Sequence, residues 1–272
     1  MKIADQVKRY FKSWVKNESV KIVFAFIAIA AFIILWHLAS LFFNTPYLPS
    51  PLSVWEALIN SFQVPDPTTG VDMWQNIRAS LYRFLAGFIF ALAIAVPLGL
   101  VLGYSKYAGY LGNPIVEIFR PIPPIAWVPF FFVVLGIVWG PIMAIFMGVF
   151  FPVLSNVIFG VKSVEPPLID AARTLGSSRS DVFAKVVFPY TVPFMMTGIR
   201  IGVGIGWMCI VAAEMIGAKG GGVGLYILNQ ANIGRYENMF AGMVVIAILG
   251  LLSVEVAGYI ERYTAKKMGA RK

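Results

Sequence analysis

One cysteine and one histidine in 272 residues remove several kinds of chemistry at the outset. Cys209 has no second cysteine to pair with, so neither a disulfide framework nor a Cys-rich metal cage can be built within the chain. It sits in an apolar run and reads as a small packing residue. His37 has no second His, Cys or carboxylate at ligand spacing, which makes it a hydrogen-bonded membrane histidine rather than a metal ligand. No triad-like pairing of Ser with His and no carboxylate couple is present, so no catalytic residue is expected. Charge is scarce too: Asp, Glu, Lys and Arg make up 13% of the chain, against ~25% in ordinary soluble domains. The phosphate cradle G-x-x-x-x-G-K-[ST] is missing. Gly217-Ala-Lys-Gly-Gly-Gly-Val-Gly224 has the glycines, but Lys219 is misplaced and no Ser or Thr follows it. That run reads as a flexible connection with positive-φ positions.

What is present is apolar: 59% of residues are hydrophobic, with a mean hydropathy of +0.79. A spanning helix needs roughly 20 apolar residues. On that measure the chain is an all-α membrane protein with six transmembrane helices, at 22–42, 78–104, a broken span at 110–137, 141–161, 190–216 and 238–260. The first run is longer than a signal-peptide core and no A-x-A site follows it, so it is expected to remain as an anchor. Lys and Arg set the orientation. With the N-terminus inside, Lys2 to Lys21, Lys106, Lys162 to Lys185 and Arg262 to Lys272 are cytoplasmic, and Lys219 and Arg235 alone lie outside. The net charge of +9 is spread over segment ends, which fits membrane orientation and not nucleic acid. Residues 1–21, with Val7, Tyr10, Phe11 and Trp14 among lysines, read as an amphipathic segment on the inner leaflet. Residues 22–262 form the membrane domain, and 263–272 a basic cytoplasmic tail.

Ionisable residues at membrane depth are functional-site candidates. Arg83, Glu117, Arg120, Arg200, Glu214 and Glu255 qualify. Glu117 and Arg120, three apart, are expected to pair on one helical face. Arg200 and Glu214 are open to partners on other spans or to a place beside a pathway. Arg83 or Arg200 is the preferred transient contact for an anion, because an arginine fork meets oxyanion oxygens bidentately. Four prolines in Arg120-Pro-Ile-Pro-Pro-Ile-Ala-Trp127-Val-Pro129 break backbone bonding where every amide needs a partner. This places the segment along a pathway, with Trp127 either lining it or packed between helices. Gly198, Gly202, Gly204 and Gly206 form a small-residue face suited to a dimer seam or to intrachain packing.

The loop 162–189 is polar and helix-capable between two apolar stretches. Glu165-Pro-Pro ends one span, Asp170-Ala-Ala-Arg-Thr-Leu175 makes a short helix, and Gly176 offers a positive-φ turn. A second helix starts near Ser180 as N-cap, and Pro189 opens the next span. Ala171 and Ala172 leave room for another surface to approach. The elbow is a docking surface, or it merely joins two spans.

The string Asp170-Ala171-Ala172, Gly176, Val186 and Pro189 resembles the cytoplasmic EAA loop of permeases of binding-protein-dependent ABC importers, E-A-A-x3-G-x9-I-x-L-P, with Asp170, Val186 and Phe188 as mild departures. Arg120 to Pro129, Thr197-Gly-Ile-Arg200-Ile-Gly202 and Gly206-Trp207 through Glu214 look like the nitrate, sulfonate, taurine and bicarbonate branch, with the likeness running from about 75 to 262. The resemblance implies a type I importer permease fold whose elbow, through Asp170, Ala171, Ala172, Arg173, Leu175, Gly176 and Pro189, couples to cytosolic ABC ATPase subunits. Those subunits would bind ATP and Mg, and this chain would need no cofactor. It also implies an extracytoplasmic solute-binding protein, a second permease copy as a homodimer, and the inner membrane of a prokaryote. A translocation pathway past Arg83, Arg120, Trp127, Arg200 and Glu214 would carry a small anion. The competing reading is a self-contained secondary carrier, which should show internal repeats and midplane ion-coupling residues.

Overall fold

The computed structural model describes residues 2–268 and, from residue 20 onward with Ile22 excepted, their side chains. The amphipathic face expected over 1–21 lies almost wholly outside the described side chains, as does the end of the basic tail. Every regular element among the described residues is helical. In chain order these are α1 (Lys2–Phe43), α2 (Pro51–Gln63), α3 (Met73–Tyr104), α4 (Lys106–Phe119), a 3-10 turn (Pro124–Trp127) and α5 (Val128–Lys162). There follow α6 (Pro166–Thr174), α7 (Arg179–Val182), a π-helical turn (Phe183–Val187), α8 (Phe188–Ile216), α9 (Val223–Asn232) and α10 (Tyr236–Lys267).

Side-chain caps fix several of these starts. Ser50, Asp72 and Ser105 each accept a backbone N–H from the first turn of α2, α3 and α4, at 3.2, 2.6 and 3.3 Å. These bonds satisfy donors that the helix itself leaves orphaned.

Five helical runs are long and apolar enough to cross a membrane, where the sequence reading expects six spans. The difference lies in the expected third and fourth spans, which occupy one run, Pro124–Lys162, with α4 ahead of it. That run is not straight. Gly136 leaves helical geometry at φ 74 and ψ −175. A Cβ on Gly140 would lie 3.3 Å from the Cα of Phe132, and Val128 shares a buried cluster with Ala144. In an unbroken helix residues eight apart are about 12 Å distant. The chain therefore doubles back at Gly136. Pro141 fits just beyond the break, in a first turn whose amides have no helical acceptor in any case.

The core lies where α3, α5 and α8 meet. Ala91 and Ala95 of α3, Val149, Val153 and Val157 of α5, and Val203 and Ile210 of α8 are buried there. Glycine lets these helices approach closely. A Cβ on Gly198 would come within 2.7 Å of Asn156, one on Gly202 within 3.1 Å of Val149, and one on Gly206 within 3.0 Å of Phe84. Gly198, Gly202 and Gly206 of α8 are thus spent on intrachain packing against α5 and α3, whereas Gly204 faces Val254 of α10, 3.9 Å from a Cβ placed there. In lipid such close packing, rather than hydrophobic transfer, holds helices together.

A second cluster joins Leu58 of α2, Met73 of α3, Tyr226 and Ile227 of α9, and Ala241 and Val245 of α10. α1 stands largely apart. It presents Phe24, Phe26 and Phe32 outward and touches the body through Trp36, which donates to the Pro49 carbonyl at 3.1 Å and packs on Phe240.

Candidate functional site

The elbow between α5 and α8 is a closed piece of structure. α6 ends in a left-handed turn: Gly176 has φ 85, its N–H donates to Arg173 O at 2.8 Å, and Ser177 N–H reaches back to Ala172 O at 3.1 Å. This double bond pattern requires a residue with no Cβ penalty at the turn, which is why glycine stands there. Ser178, not Ser180, caps the next helix, accepting from Asp181 N at 3.2 Å. The cap falls two residues earlier than expected because the Gly176 turn places Ser178 in extended geometry, φ −68 and ψ 166. Asp181 also receives Lys185 Nζ at 2.6 Å.

One face of α6 is fastened and the other is free. Ile169 and Ala172 pack on a buried cluster of Val161, Val164, Val182 and Val187. Asp170, Ala171 and Arg173 are exposed, and Leu175 is 86% exposed at the tip. Ala171 is therefore available to another surface, whereas Ala172 faces its own chain, against the reading that both are open. Pro189 sits in the first turn of α8, after the π-helical turn.

A buried polar network occupies the end of the bundle carrying residues 66–76 and 217–230. Glu214 of α8 is fully buried, and Arg83 of α3 nearly so. Arg83 Nη1 donates to Glu214 Oε1 at 2.7 Å and to Gly221 O at 2.8 Å, and Nη2 donates to Lys219 O at 2.7 Å. Ser80 Oγ lies 2.8 to 2.9 Å from the Glu214 oxygens and accepts from Val223 N at 2.9 Å. Gly224 N donates to Glu214 Oε2 at 3.0 Å, and Gly222 N to Asn76 Oδ1 at 2.8 Å. A charge pair this deep persists only when its remaining hydrogen-bonding capacity is met, as it is here. The glycine run 217–224 does have positive φ at Gly217, Gly220, Gly221 and Gly222. It is no loose connection, however: its carbonyls and amides are gripped by Asn76, Ser80, Arg83 and Glu214. Beside it Gln230 Nε2 donates to Asp66 Oδ1 at 2.9 Å, both residues buried.

The five residues expected along a pathway do not converge. Arg83 and Glu214 hold each other. Arg200 of α8 pairs with Glu261 of α10 at 3.3 Å, and Thr197 donates to the same carboxylate at 2.7 Å. Trp127 packs among Phe119, Phe130 and Phe131. Arg120 lines a cavity of about 280 Å³ with Ser155, Asn156 and Ile201. The expected Glu117–Arg120 pair is not formed: Arg120 keeps helical backbone as the C-cap of α4, and both side chains are exposed. Glu255 pairs with Arg262 at 3.7 Å on an exposed face. His37 is exposed on α1, and among the described residues no group of three His, Cys, Asp or Glu could hold a metal. Asn76, Ser80 and Gln230 were not singled out from the sequence, and Asp66, read there as part of an ordinary turn-rich loop at Pro65-Asp66-Pro67, is buried.

Known proteins share this architecture and sequence. Residues 95–269 match the family described as binding-protein-dependent transport system inner membrane component. A putative ABC transporter permease protein of Methanocaldococcus jannaschii is 39% identical, over 84% of this chain and 86% of its own. The taurine transport system permease protein of Escherichia coli is 35% identical, covering 80% and 79%. A nitrate import permease protein of Synechocystis is 31% identical over 89% of each. A chain of the MetNI methionine ABC transporter, in an inward-facing conformation, superposes with a TM-score of 0.60 at 23% identity, over 71% of this chain and 97% of that one. With its helical bundle, its elbow and these relatives, the chain belongs to the family of inner membrane components of binding-protein-dependent transport systems.

Proposed function

We propose that this chain is the permease subunit of an ATP-driven importer that passes a small anionic solute from a solute-binding protein to the cytoplasm. The observation that carries the reading is the free face of the elbow, where Asp170, Ala171, Arg173 and Leu175 stand exposed on a short helix whose other side is fastened to the bundle. A surface of this kind suits a cytosolic ATPase, which would bind ATP and Mg and supply the energy that this chain has no phosphate cradle to harvest. Nucleotide-driven closure of two ATPase subunits would push paired elbows as rigid levers and favour the outward-facing state. Gly176 sets the lever's angle, and Pro189 begins the helix that it moves.

The fold-back at Gly136 supports a count of six crossings. Lys106 and Lys162 then lie on one side, α4 with residues to Leu135 leads outward, and the limb after Gly136 returns. On that topology both termini and the elbow 162–189 are cytoplasmic, and the network around Glu214 faces the binding protein. The same reading divides the chain into 1–21, 22–262 and 263–272 by side of the membrane, with boundaries inside the continuous helices α1 and α10. A second copy of the chain completes the pathway as a homodimer in the inner membrane. The solute class is read from relatives named for taurine and nitrate.

Reconstitution tests the whole reading. Vesicles holding the permease and its ATPase should take up the solute only with ATP and the binding protein present. Uptake driven by an ion gradient alone would support the self-contained carrier instead.

A further inference from the structure

The cavity between the proline-broken stretch and the returning limb of α5 is built for a small anion. Arg120, Ile122 and Pro124 line one wall, Pro152, Ser155 and Asn156 another, and no carboxylate is among its lining residues. Arg83 and Arg200 each hold a carboxylate, whereas the Arg120 guanidinium has no hydrogen bond or ion pair among the described residues. Arg120 is exposed where it lines the cavity, so its charge is open to a charged solute. Ser155 gives an independent second observation. Ser163, Thr191, Thr197 and Ser253 donate to the carbonyl one turn back, as helix hydroxyls in lipid ordinarily do. Ser155 Oγ is buried and has no partner at all. A buried hydroxyl with no partner is costly unless a ligand or water meets it.

We propose that Arg120 and Ser155 form a weak transit site for a small monovalent oxyanion of the sulfonate or nitrate class. The cavity, about 280 Å³, is slightly smaller than ordinary ligand sites of roughly 300 to 1,000 Å³, so a solute of few heavy atoms fits. One guanidinium and one hydroxyl hold an anion loosely enough to let it leave, which a permease requires. This site rests on the importer reading and sharpens it.

The test uses the full chain with its ATPase in vesicles of both orientations, in a Cys209→Ala background. A cysteine is placed on the cavity wall by Ile201→Cys, and separately by Met147→Cys. Its rate of modification is compared for an anionic sulfonatoethyl and a cationic trimethylammonium-ethyl methanethiosulfonate. The anionic reagent should react faster by on the order of tenfold, the influence of one nearby charge in a partly dry site. Arg120→Gln should abolish the preference, and Ser155→Ala should reduce it by roughly a factor of two to five. A preference unchanged by Arg120→Gln, or a thiol unreactive with both reagents at both positions, overturns the site. ATP-driven uptake is measured in parallel vesicles that hold the Cys209→Ala permease without an added cysteine. Uptake intact with the preference absent sinks the transit site alone, while failed uptake with the preference present sinks the importer reading alone.

Discussion

Arg83 and Glu214, 131 positions apart, meet at 2.7 Å with both side chains withdrawn from solvent. Their contact ties α3 to the end of α8 and, through the two carbonyls that Arg83 also holds, fastens the glycine run between them.

Removing one partner strands a buried charge. Arg83→Met or Glu214→Leu alone should therefore lower stability by about 3–5 kcal/mol, and the double variant combining them should recover much of that loss. Thermal unfolding of the purified permease in detergent measures both. A coupling energy near zero in the double-mutant cycle would contradict the structural role of the pair.

Gly222 and Gly234 separate two ways in which glycine is needed. At Gly222 a Cβ would lie 2.5 to 2.7 Å from the Glu214 carboxylate, in backbone at φ 147. At Gly234, φ 74, nothing lies within 4 Å. Gly234→Ala should cost about 1–2 kcal/mol, from the left-handed backbone alone. Gly222→Ala should cost clearly more and release the glycine run, read as faster proteolysis between α8 and α9. Equal losses at the two positions would show that the network yields easily.

The elbow tip allows a test that spares the fold. Leu175 is exposed, so Leu175→Glu should leave stability within about 0.5 kcal/mol. Affinity for the ATPase should fall by roughly tenfold or more, as for an apolar anchor at the centre of an interface. Titration of ATPase against permease in nanodiscs reads this directly, and unchanged affinity would place the docking surface elsewhere. Ala172→Leu should act differently, loosening α6 from its own cluster before it disturbs any partner.

The fold-back has its own probe. Gly140→Leu sets a side chain against Phe132, whose Cα is already within 3.3 Å of a Cβ at that position, and should destabilise by about 1–3 kcal/mol through overpacking. A variant as stable as the parent would mean that the two limbs part freely.

Much of the elbow was legible because its demands are local. Proline at 166, glycine at 176 and proline at 189 act on the backbone within a turn or two, and their spacing alone gave a helix, a reversal and a new start. The cap slipped from Ser180 to Ser178 because two serines within three residues offer the same hydroxyl, and only the closed turn decides which one is extended. The ion pairs were not legible. Arg83 and Glu214 lie 131 positions apart, and that they meet depends on how α3 packs against α8, where Gly206 lets Phe84 approach. The Glu117–Arg120 spacing misled because helical spacing brings two side chains within reach without obliging exposed ones to pair. The merging of two expected spans has a similar cause: one glycine with φ 74 makes a reversal for which a sequence reading supplies a loop.

That reversal bears on how the membrane portion can move. A bend made by one residue has no spare chain to pay out, so a tilt of the 137–162 limb drags residues 128–135 along with it. Compliance is then concentrated between Arg120 and Pro129, where prolines have already deleted the rungs of the helix ladder. On the proposed coupling, motion delivered at the elbow would reach the wall beside Arg120 with little lost on the way.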